Sequence, residues 1–563
     1  MKLFANLKRA LYVLFTPQIC LIWAVSLWLM LTSNHALFSH ILNLYPWNAE
    51  NAGFIISLSL FFTFSITWWL MLLSHGKSAR WVLAVIVLSA AWAAFYMDEF
   101  GVIIDHVMLD NAVKTDAREV MGLLSWGFFI KMLLLGVIPA LVLIKAVPAR
   151  FFVRDALSIR LKQIGLLMLG MVLVVIPCSA DYATFIREHK LVRMYANPTF
   201  FHYSLVKWAS KKVFTRSITG LQKTAVDAVN VGEPRHHELI IMVVGETARF
   251  DRFSLNGYHR LTNPRLSKET VLSFKQVTSC GTSTAVSVPC MFSLLTRKQY
   301  DEEKALHMEN ALDVLQAHGV SVLWRDNNSD SKGVALRVPY EDFKSPIHNP
   351  VCNDNECRDI GMLSGLDKFV AKNKDKDILI VLHQMGNHGP EYYRRYPDEF
   401  KRFTPVCKTG RLSECTQEEI DNSYDNAILY TDYFLSEVIQ FLKKYDDQRE
   451  TAMLYVSDHG ESLGEHGIYL HAAPYMIAPQ QQTHVPAILW LGQHFDYQLS
   501  QVTPYENYPL SHDDVFCTLL TAYELKSEVC HAEFSWLAQN RELIEEQRKH
   551  LIPQPGQAAI PAN

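Results

Sequence analysis

Apolar residues in the first third of this chain fall into blocks long enough to cross a lipid bilayer, and no other feature restricts its fold as sharply. Five blocks stand out: Leu11–Thr32, Ala52–Ser74, Trp81–Met97, Leu123–Ala146 and Ile164–Ala180, the third being the shortest. A bilayer helix needs roughly 20 such residues. Inside hydrocarbon the backbone must bond within its own segment, so each block is expected to be a transmembrane helix. No small-residue cleavage motif follows the first block, which reads as an anchor and not as a removable signal.

Charge between the blocks sets their direction. Lys2, Lys8 and Arg9 precede the first; Lys77 and Arg80 separate the second from the third; Lys145, Arg150, Arg154, Arg160 and Lys162 separate the fourth from the fifth. The other two loops are poor in positive charge, and the longer holds Asp98, Glu99, Asp105, Asp110, Asp116 and Glu119. The positive-inside rule puts the N-terminus in the cytoplasm and everything after about residue 180 outside. Residues 1–180 are thus expected to be a five-helix transmembrane domain. Residues 181–234, with Phe200, Phe201, Tyr203, Leu205, Val206 and Trp208, read as a linker with interfacial helices. Residues 235–552 read as a soluble catalytic domain, and 553–563 as a disordered Pro/Ala/Gln tail.

The cysteines agree with that direction. Cys20 and Cys178 lie in apolar blocks; the rest fall close together as Cys280 with Cys290, Cys352 with Cys357, Cys407 with Cys415 and Cys517 with Cys530. An even number at short separations points to disulfides and an oxidising compartment. The competing reading, zinc clusters, lacks any CxxC spacing. Net charge is −4 and the later part holds no basic run, which argues against a nucleic-acid partner.

From His237 the pattern changes to short apolar runs alternating with helical stretches. Leu239–Val244, Ile378–Leu382, Ala452–Val456 and Val485–Trp490 read as buried strands; Ala305–His318, Leu363–Lys372 and Ser423–Lys444 read as helices. Such alternation predicts an α/β domain with a mostly parallel sheet, whose ligand sites lie beyond the carboxyl ends of strands. The first strand runs into Gly245-Glu246-Thr247-Ala248-Arg249, the second into His383-Gln-Met-Gly-Asn-His388, the third into Ser457-Asp458-His459-Gly460-Glu461. Taken singly, such residues are caps, turns or solvated charges. Three strands that each end in carboxylates or histidines fit a metal centre at the sheet edge, and Zn2+ accepts such oxygen and nitrogen ligands.

A nucleophile is sought in Ser279-Cys-Gly-Thr-Ser-Thr-Ala-Val-Ser-Val-Pro-Cys290, a small, hydroxyl-rich run entering a helix. A helix N-terminus presents free N–H groups to an anion, and a hydroxyl on zinc can lose its proton near neutral pH. Thr284 is central, with Thr282, Ser283 and Ser287 as rivals; a plain surface loop is the alternative.

Taken with Trp324-Arg-Asp-Asn-Asn-Ser-Asp-Ser-Lys332, these blocks resemble the lipid A phosphoethanolamine transferases. That family is the membrane-anchored branch of the alkaline phosphatase/sulfatase superfamily and includes the mobile colistin-resistance enzymes. The resemblance spans nearly the whole chain. It implies a primary zinc site of Glu246, Thr284, Asp458 and His459, with Thr284 as the nucleophile that becomes phosphoethanolaminylated. It implies that His388 and His471, and more loosely His383, bind the transferred phosphate or a second zinc, and that Asn328 and Lys332 hold substrate phosphate. Glu461 is placed as a support for the metal site, and the cysteine pairs match the family's disulfide framework. Asn111, Thr115 and Glu119, four apart and so on one helical face, match a segment linked to the donor's ethanolamine headgroup; a solvated face is the alternative.

The expected reaction moves phosphoethanolamine from phosphatidylethanolamine to lipid A in lipopolysaccharide, at the inner membrane of a Gram-negative bacterium with the catalytic domain in the periplasm. Lower surface negative charge would weaken polymyxin binding and give colistin resistance. Alternatives are the same chemistry on a core sugar (Kdo or heptose), a membrane-anchored phosphodiesterase, a dead-site scaffold, or a sulfatase. The last needs a Cys/Ser-x-Pro-x-Arg motif, and the Thr284 segment has no such arginine.

Overall fold

The computed structural model describes residues 16–114, 123–148, 157–189, 192–214, 220–232, 236–353, 356–530 and 535–537. The start of the first expected span, Thr115, Glu119, parts of the linker and the 553–563 tail lie outside them. The chain forms two compact units, one of residues 1–215 with 410–414 and 464–469, the other of the remainder.

The first unit is helical: α1 (Pro17–Thr32), α2 (His35–Leu44), α3 (Ala52–Leu73), α4 (Ala79–Phe100), α5 (His106–Lys114), α6 (Trp126–Lys145), α7 (Leu157–Val175) and α8 (Thr199–Phe214). Among the described residues, four runs are long and apolar enough to cross a membrane: Ala52–Leu73, Gly76–Phe100, Trp126–Lys145 and Leu157–Cys178. The pair α1 and α2, bent by 61°, makes a fifth if counted as one broken span. At the bend the Asn34 side-chain amide donates to the Leu29 carbonyl at 3.0 Å, which also accepts the Ser33 backbone amide at 2.9 Å. Hydroxyls inside the apolar runs bond locally: Ser26, Ser59, Thr63 and Thr67 each donate to the carbonyl four residues earlier. The buried Arg160 guanidinium is held by the Met71 and Ser74 carbonyls, so this charge is not bare in an apolar layer.

The second unit is built on seven strands: β1 (Glu238–Gly245), β2 (Val271–Phe274), β3 (Ser321–Asp326), β4 (Tyr340–Asp342), β5 (Ile378–His383), β6 (Glu450–Ser457) and β7 (Ala487–Leu491). Their order is β2-β7-β6-β1-β5-β3-β4. β6, β1, β5, β3 and β4 run parallel, while β7 is antiparallel to both its neighbours. All residues of β1, β5 and β6 are buried, as continuous apolar runs require in a sheet covered on both faces. Two helices matter for the site. α9 (Thr284–Met291) follows the hydroxyl-rich run. α10 (Gln417–Lys443) packs along β6, burying Tyr424, Ile428, Phe434 and Leu435, and its Tyr424 reaches the carboxyl end of β1.

The mostly parallel α/β sheet is as expected, and the differences have local causes. The strand expected at Val485–Trp490 runs Ala487–Leu491 and is the antiparallel one. Asn310 breaks the helix expected over Ala305–His318, because it caps a new one: its side chain accepts from the Leu312 and Asp313 amides while Asp313 accepts from its own amide. Gly365, with φ 72°, delays the next helix to Leu366–Lys372. The Thr416–Glu419 capping box starts α10 earlier than the expected Ser423. β2, β3 and β4 were not among the expected strands.

Candidate active site

β5, β1 and β6 are neighbours in the sheet, so the polar residues at their carboxyl ends converge. Glu246 directly follows β1; Asp458 and His459 follow β6; His383 ends β5. All four side chains are fully or almost fully buried. The backbone turns sharply after β1: Thr247 has φ 57°, a left-handed conformation rare for a β-branched residue. Several contacts hold it there. Its amide donates to Asp458 Oδ1 at 3.2 Å and its hydroxyl to Glu246 Oε1 at 2.5 Å. Its carbonyl accepts the Tyr424 hydroxyl at 2.6 Å. Gly386, with φ +50°, lies so close that a Cβ there would sit 2.8 Å from the Glu246 carbonyl oxygen.

Thr284 opens α9, preceded by Ser283 as N-cap in extended conformation. Its hydroxyl donates to Glu246 Oε2 at 3.0 Å and lies 3.3 Å from His459 Nε2. His459 Nδ1 lies 2.9 Å from the Gly460 carbonyl, so Nε2 is the ring nitrogen that faces the cluster. That nitrogen lies 3.4 Å from both Glu246 Oε1 and Asp458 Oδ2. Asp458 Oδ2 is buried without a hydrogen-bond partner, although Oδ1 accepts two backbone amides. An imidazole nitrogen, two carboxylates and a hydroxyl around one point, with one oxygen unsatisfied, is a donor set that fits a zinc ion. Burial pushes Asp458 up to about 7, with Glu246 adding repulsion. Burial would also raise Glu246, but the hydrogen bond and charge of His459 outweigh it and hold the carboxyl well below its usual range. His459 in turn is pushed up to about 10: burial opposes its charge, but the two carboxylates prevail. Such mutual dependence is expected of carboxylates crowded where a cation's charge belongs.

A second cluster adjoins the first. His471 Nδ1 lies 3.0 Å from Glu461 Oε2, and Glu461 Oε1 accepts the Tyr392 hydroxyl at 2.9 Å. The His471 ring centroid is 4.5 Å from that of His459 and 5.6 Å from that of His388. His459, Glu461 and His471 form a second group able to hold a metal. His383 faces inward differently: its Nδ1 is bonded to Asp326 Oδ2 at 2.9 Å, and its Nε2 is buried without a partner. Asn328 is engaged by its amide, which donates to Glu246 Oε2 and the Gln384 carbonyl, both at 2.8 Å. Lys332 donates to the Ser329 carbonyl at 2.7 Å within its own loop. In the helical unit, Asn111 is half-buried on α5, whose neighbour Asp110 accepts the Trp208 indole N–H at 3.1 Å.

The nucleophile loop is tied on several sides. Disulfides join Cys280 to Cys290, Cys352 to Cys357, Cys407 to Cys415 and Cys517 to Cys530. The first clasps the loop to α9. The Thr282 hydroxyl donates to the Ala473 carbonyl at 2.6 Å, and Ser287 Oγ accepts the Gly281 amide at 2.9 Å. Two of the rival hydroxyls are therefore engaged in holding the loop. Sequence reasoning missed Thr247, Asp326, Tyr392, Tyr424 and His512, all of which support the site. Of these, Tyr424 lies on the buried face of α10 with Ile420 and Ile428, and Thr247 sits just past β1, but neither position signals the hydrogen bond it makes.

Fold and site together define an enzyme of the alkaline phosphatase/sulfatase superfamily, with residue groups able to hold a metal ion. The sulfatase family model matches residues 238–525, and that described as phosphoethanolamine transferase EptA/EptB matches residues 62–213. The chain is 42% identical to phosphatidylethanolamine transferase Mcr-1 of Escherichia coli over 525 residues, covering 90% of this chain and 95% of that one. It is 37% identical to phosphoethanolamine transferase EptA of Salmonella typhimurium over 532 residues, covering 91% and 95%. Among solved structures it is similar to the integral membrane lipooligosaccharide phosphoethanolamine transferase A of Neisseria meningitidis, with TM-score 0.86, 35% identity, and coverage of 92% of this chain and 98% of that one. The chain belongs to the phosphoethanolamine transferases.

Proposed function

We propose that this enzyme transfers phosphoethanolamine from phosphatidylethanolamine to lipid A, with Thr284 as the nucleophile. The observation that carries this is the Thr284 hydroxyl at a helix N-terminus, 3.0 Å from Glu246 and 3.3 Å from His459 Nε2. Its relatives Mcr-1 and EptA are named as transferases of this group. Glu246, Thr284, Asp458 and His459 would hold one Zn2+, which when bound supplies positive charge that lowers the hydroxyl's pKa and polarises a phosphoryl oxygen. Thr284 Oγ1 attacks the donor's phosphorus; the Oγ1–P bond forms, the bond to the glycerol oxygen breaks, and diacylglycerol leaves with a proton. A lipid A phosphate oxygen then attacks the same phosphorus, and the bond to Thr284 breaks.

His388, His471, Lys332 and, through its unpartnered Nε2, His383 neutralise phosphoryl oxygens in both steps or share a second zinc with Glu461. Asn328 steadies Glu246; both its amide hydrogens are taken by Glu246 and the Gln384 carbonyl, so holding substrate phosphate requires it to release one of them. Asn111, with Thr115 and Glu119, receives the donor's ammonium headgroup. Residues 1–180 cross the inner membrane five times from a cytoplasmic N-terminus, 181–234 lie along its surface, and 235–552 work in the periplasm, where both lipids present their headgroups. Each added ammonium offsets negative charge at the cell surface, so polymyxins bind less well by ordinary electrostatics.

The test is mass spectrometry of lipopolysaccharide from cells expressing wild type or Thr284→Ala. A phosphoethanolamine-sized gain on lipid A is expected with wild type alone. A gain on core sugars would change the acceptor, and a gain that survives in Thr284→Ala would end Thr284's assignment. Release of diacylglycerol with no gain anywhere would mean a phosphodiesterase.

A further inference from the structure

His512 is a fully buried imidazole that the catalytic scheme above does not use. It begins a short helical turn, His512–Asp514, just after the two-residue strand Leu510–Ser511. That strand pairs in parallel with Val277–Thr278, the strand leading into the nucleophile loop. One ladder therefore delivers both His512 and the Ser279-Cys280 backbone to the same place.

Both ring nitrogens meet obligate partners. The Cys280 amide can only donate, and it lies 3.1 Å from His512 Nδ1; the Ser457 carbonyl can only accept, and it lies 3.0 Å from Nε2. The tautomer is thereby fixed, with Nδ1 bare and Nε2 carrying the proton. Cys280 opens the loop that ends in Thr284, and Ser457 directly precedes Asp458. The same Ser457 binds the third piece of the site: its hydroxyl accepts the Ala248 amide at 2.9 Å, two residues past Glu246. A single imidazole thus spans the gap between the loop bearing the nucleophile and the strand end bearing Asp458 and His459.

We infer that His512 is a positioning residue that sets the distance between the Thr284 hydroxyl and the carboxylate–histidine cluster. This rests on the reading of Thr284 as nucleophile. Loss of the bridge should let the loop and Thr284 drift while Glu246, Asp458 and His459, each held by other bonds, stay in place. A misplacement on the order of 1 Å can cost about 100-fold in rate, so the fall belongs in kcat and not in substrate binding.

The experiment compares full-length wild type, His512→Ala and His512→Asn in detergent micelles, the last placing an amide oxygen near the Nδ1 position. Fluorescent phosphatidylethanolamine and bis(p-nitrophenyl) phosphate serve as substrates, zinc content is measured, and amide hydrogen exchange is followed in the peptide spanning residues 276–291. For His512→Ala we expect kcat to fall about 10–100-fold on both substrates, KM to stay within about twofold, zinc content to hold, and exchange in that peptide to rise. His512→Asn should recover part of both kcat and protection. Unchanged exchange and kcat in His512→Ala would overturn the inference. So would a loss of kcat that tracks loss of zinc or unfolding and is not eased by Asn. If wild type cleaves the nitrophenyl diester but not the lipid, the donor assignment fails, while exchange and diester kinetics still decide the role of His512.

Discussion

Replacing Tyr424 with Phe removes one oxygen atom from the wall behind Glu246, and its effect follows from two hydrogen bonds. The Tyr424 hydroxyl donates to the Thr247 carbonyl at 2.6 Å and accepts the Arg249 amide at 3.0 Å. Tyr424, Thr247 and Arg249 are all buried, so water has no ready access to either stranded backbone group. Each of the two stranded groups costs about 1–3 kcal/mol; the variant regains part of that sum because its own hydroxyl no longer needs burial, leaving a net of about 2–3 kcal/mol. In a domain of this size that corresponds to a fall in melting midpoint of roughly 3–5 °C. The same bond holds Thr247 in its left-handed conformation, which stores about 1–3 kcal/mol. Released, Thr247 should relax and carry Glu246 with it, so activity should fall at temperatures where the protein is still folded. Differential scanning fluorimetry of the full chain, paired with diacylglycerol release at 25 °C, measures both. A midpoint within about 1 °C of wild type, with unchanged turnover, would refute the claim that Tyr424 holds this turn.

Chelation should abolish turnover, and added Zn2+ should restore it, as read by diacylglycerol release; an enzyme indifferent to chelation would remove the metal from the proposed site. Gly386→Ala should lower both zinc content and turnover by at least about tenfold, because its Cβ would press on the Glu246 backbone at a φ that L-residues avoid. Metal analysis at wild-type stoichiometry would count against that crowding. Exchanging Cys280 and Cys290 together for Ser opens a loop of sequence separation 10, worth about 3 kcal/mol. Thermal midpoint and kcat should both drop, and unchanged kinetics would strip the bridge of its role in holding Thr284.

What was legible in the sequence divides along a physical line. Apolar length alone marks the membrane blocks, because hydrocarbon tolerates no other solution for the backbone. β1, β5 and β6 were equally plain, since strands buried on both faces are continuous apolar runs, and their ends led to Glu246, His383, Asp458 and His459. β3 was not, although it lies inside the same sheet: its last residues are Arg325 and Asp326, which a pattern of hydrophobicity assigns to the surface. Both are buried because each has a partner distant in sequence. Arg325 donates to the Met362 and Ser364 carbonyls, and Asp326 accepts from His383 at 2.9 Å and from the Trp324 indole at 2.9 Å.

Tyr392, Tyr424 and His512 follow the same rule. A buried polar side chain is stable only with its partner in place, and that partner is set by topology, not by neighbouring residues. Residues that carry the proposed chemistry announce themselves because strand ends gather them; residues that hold them in register do not, because their bonds cross the fold. His512 is the extreme case, since both of its partners are backbone atoms whose sequence context contributes nothing to the bond. Support of this kind becomes visible only when each buried polar atom in the folded chain is asked where its hydrogen bond goes.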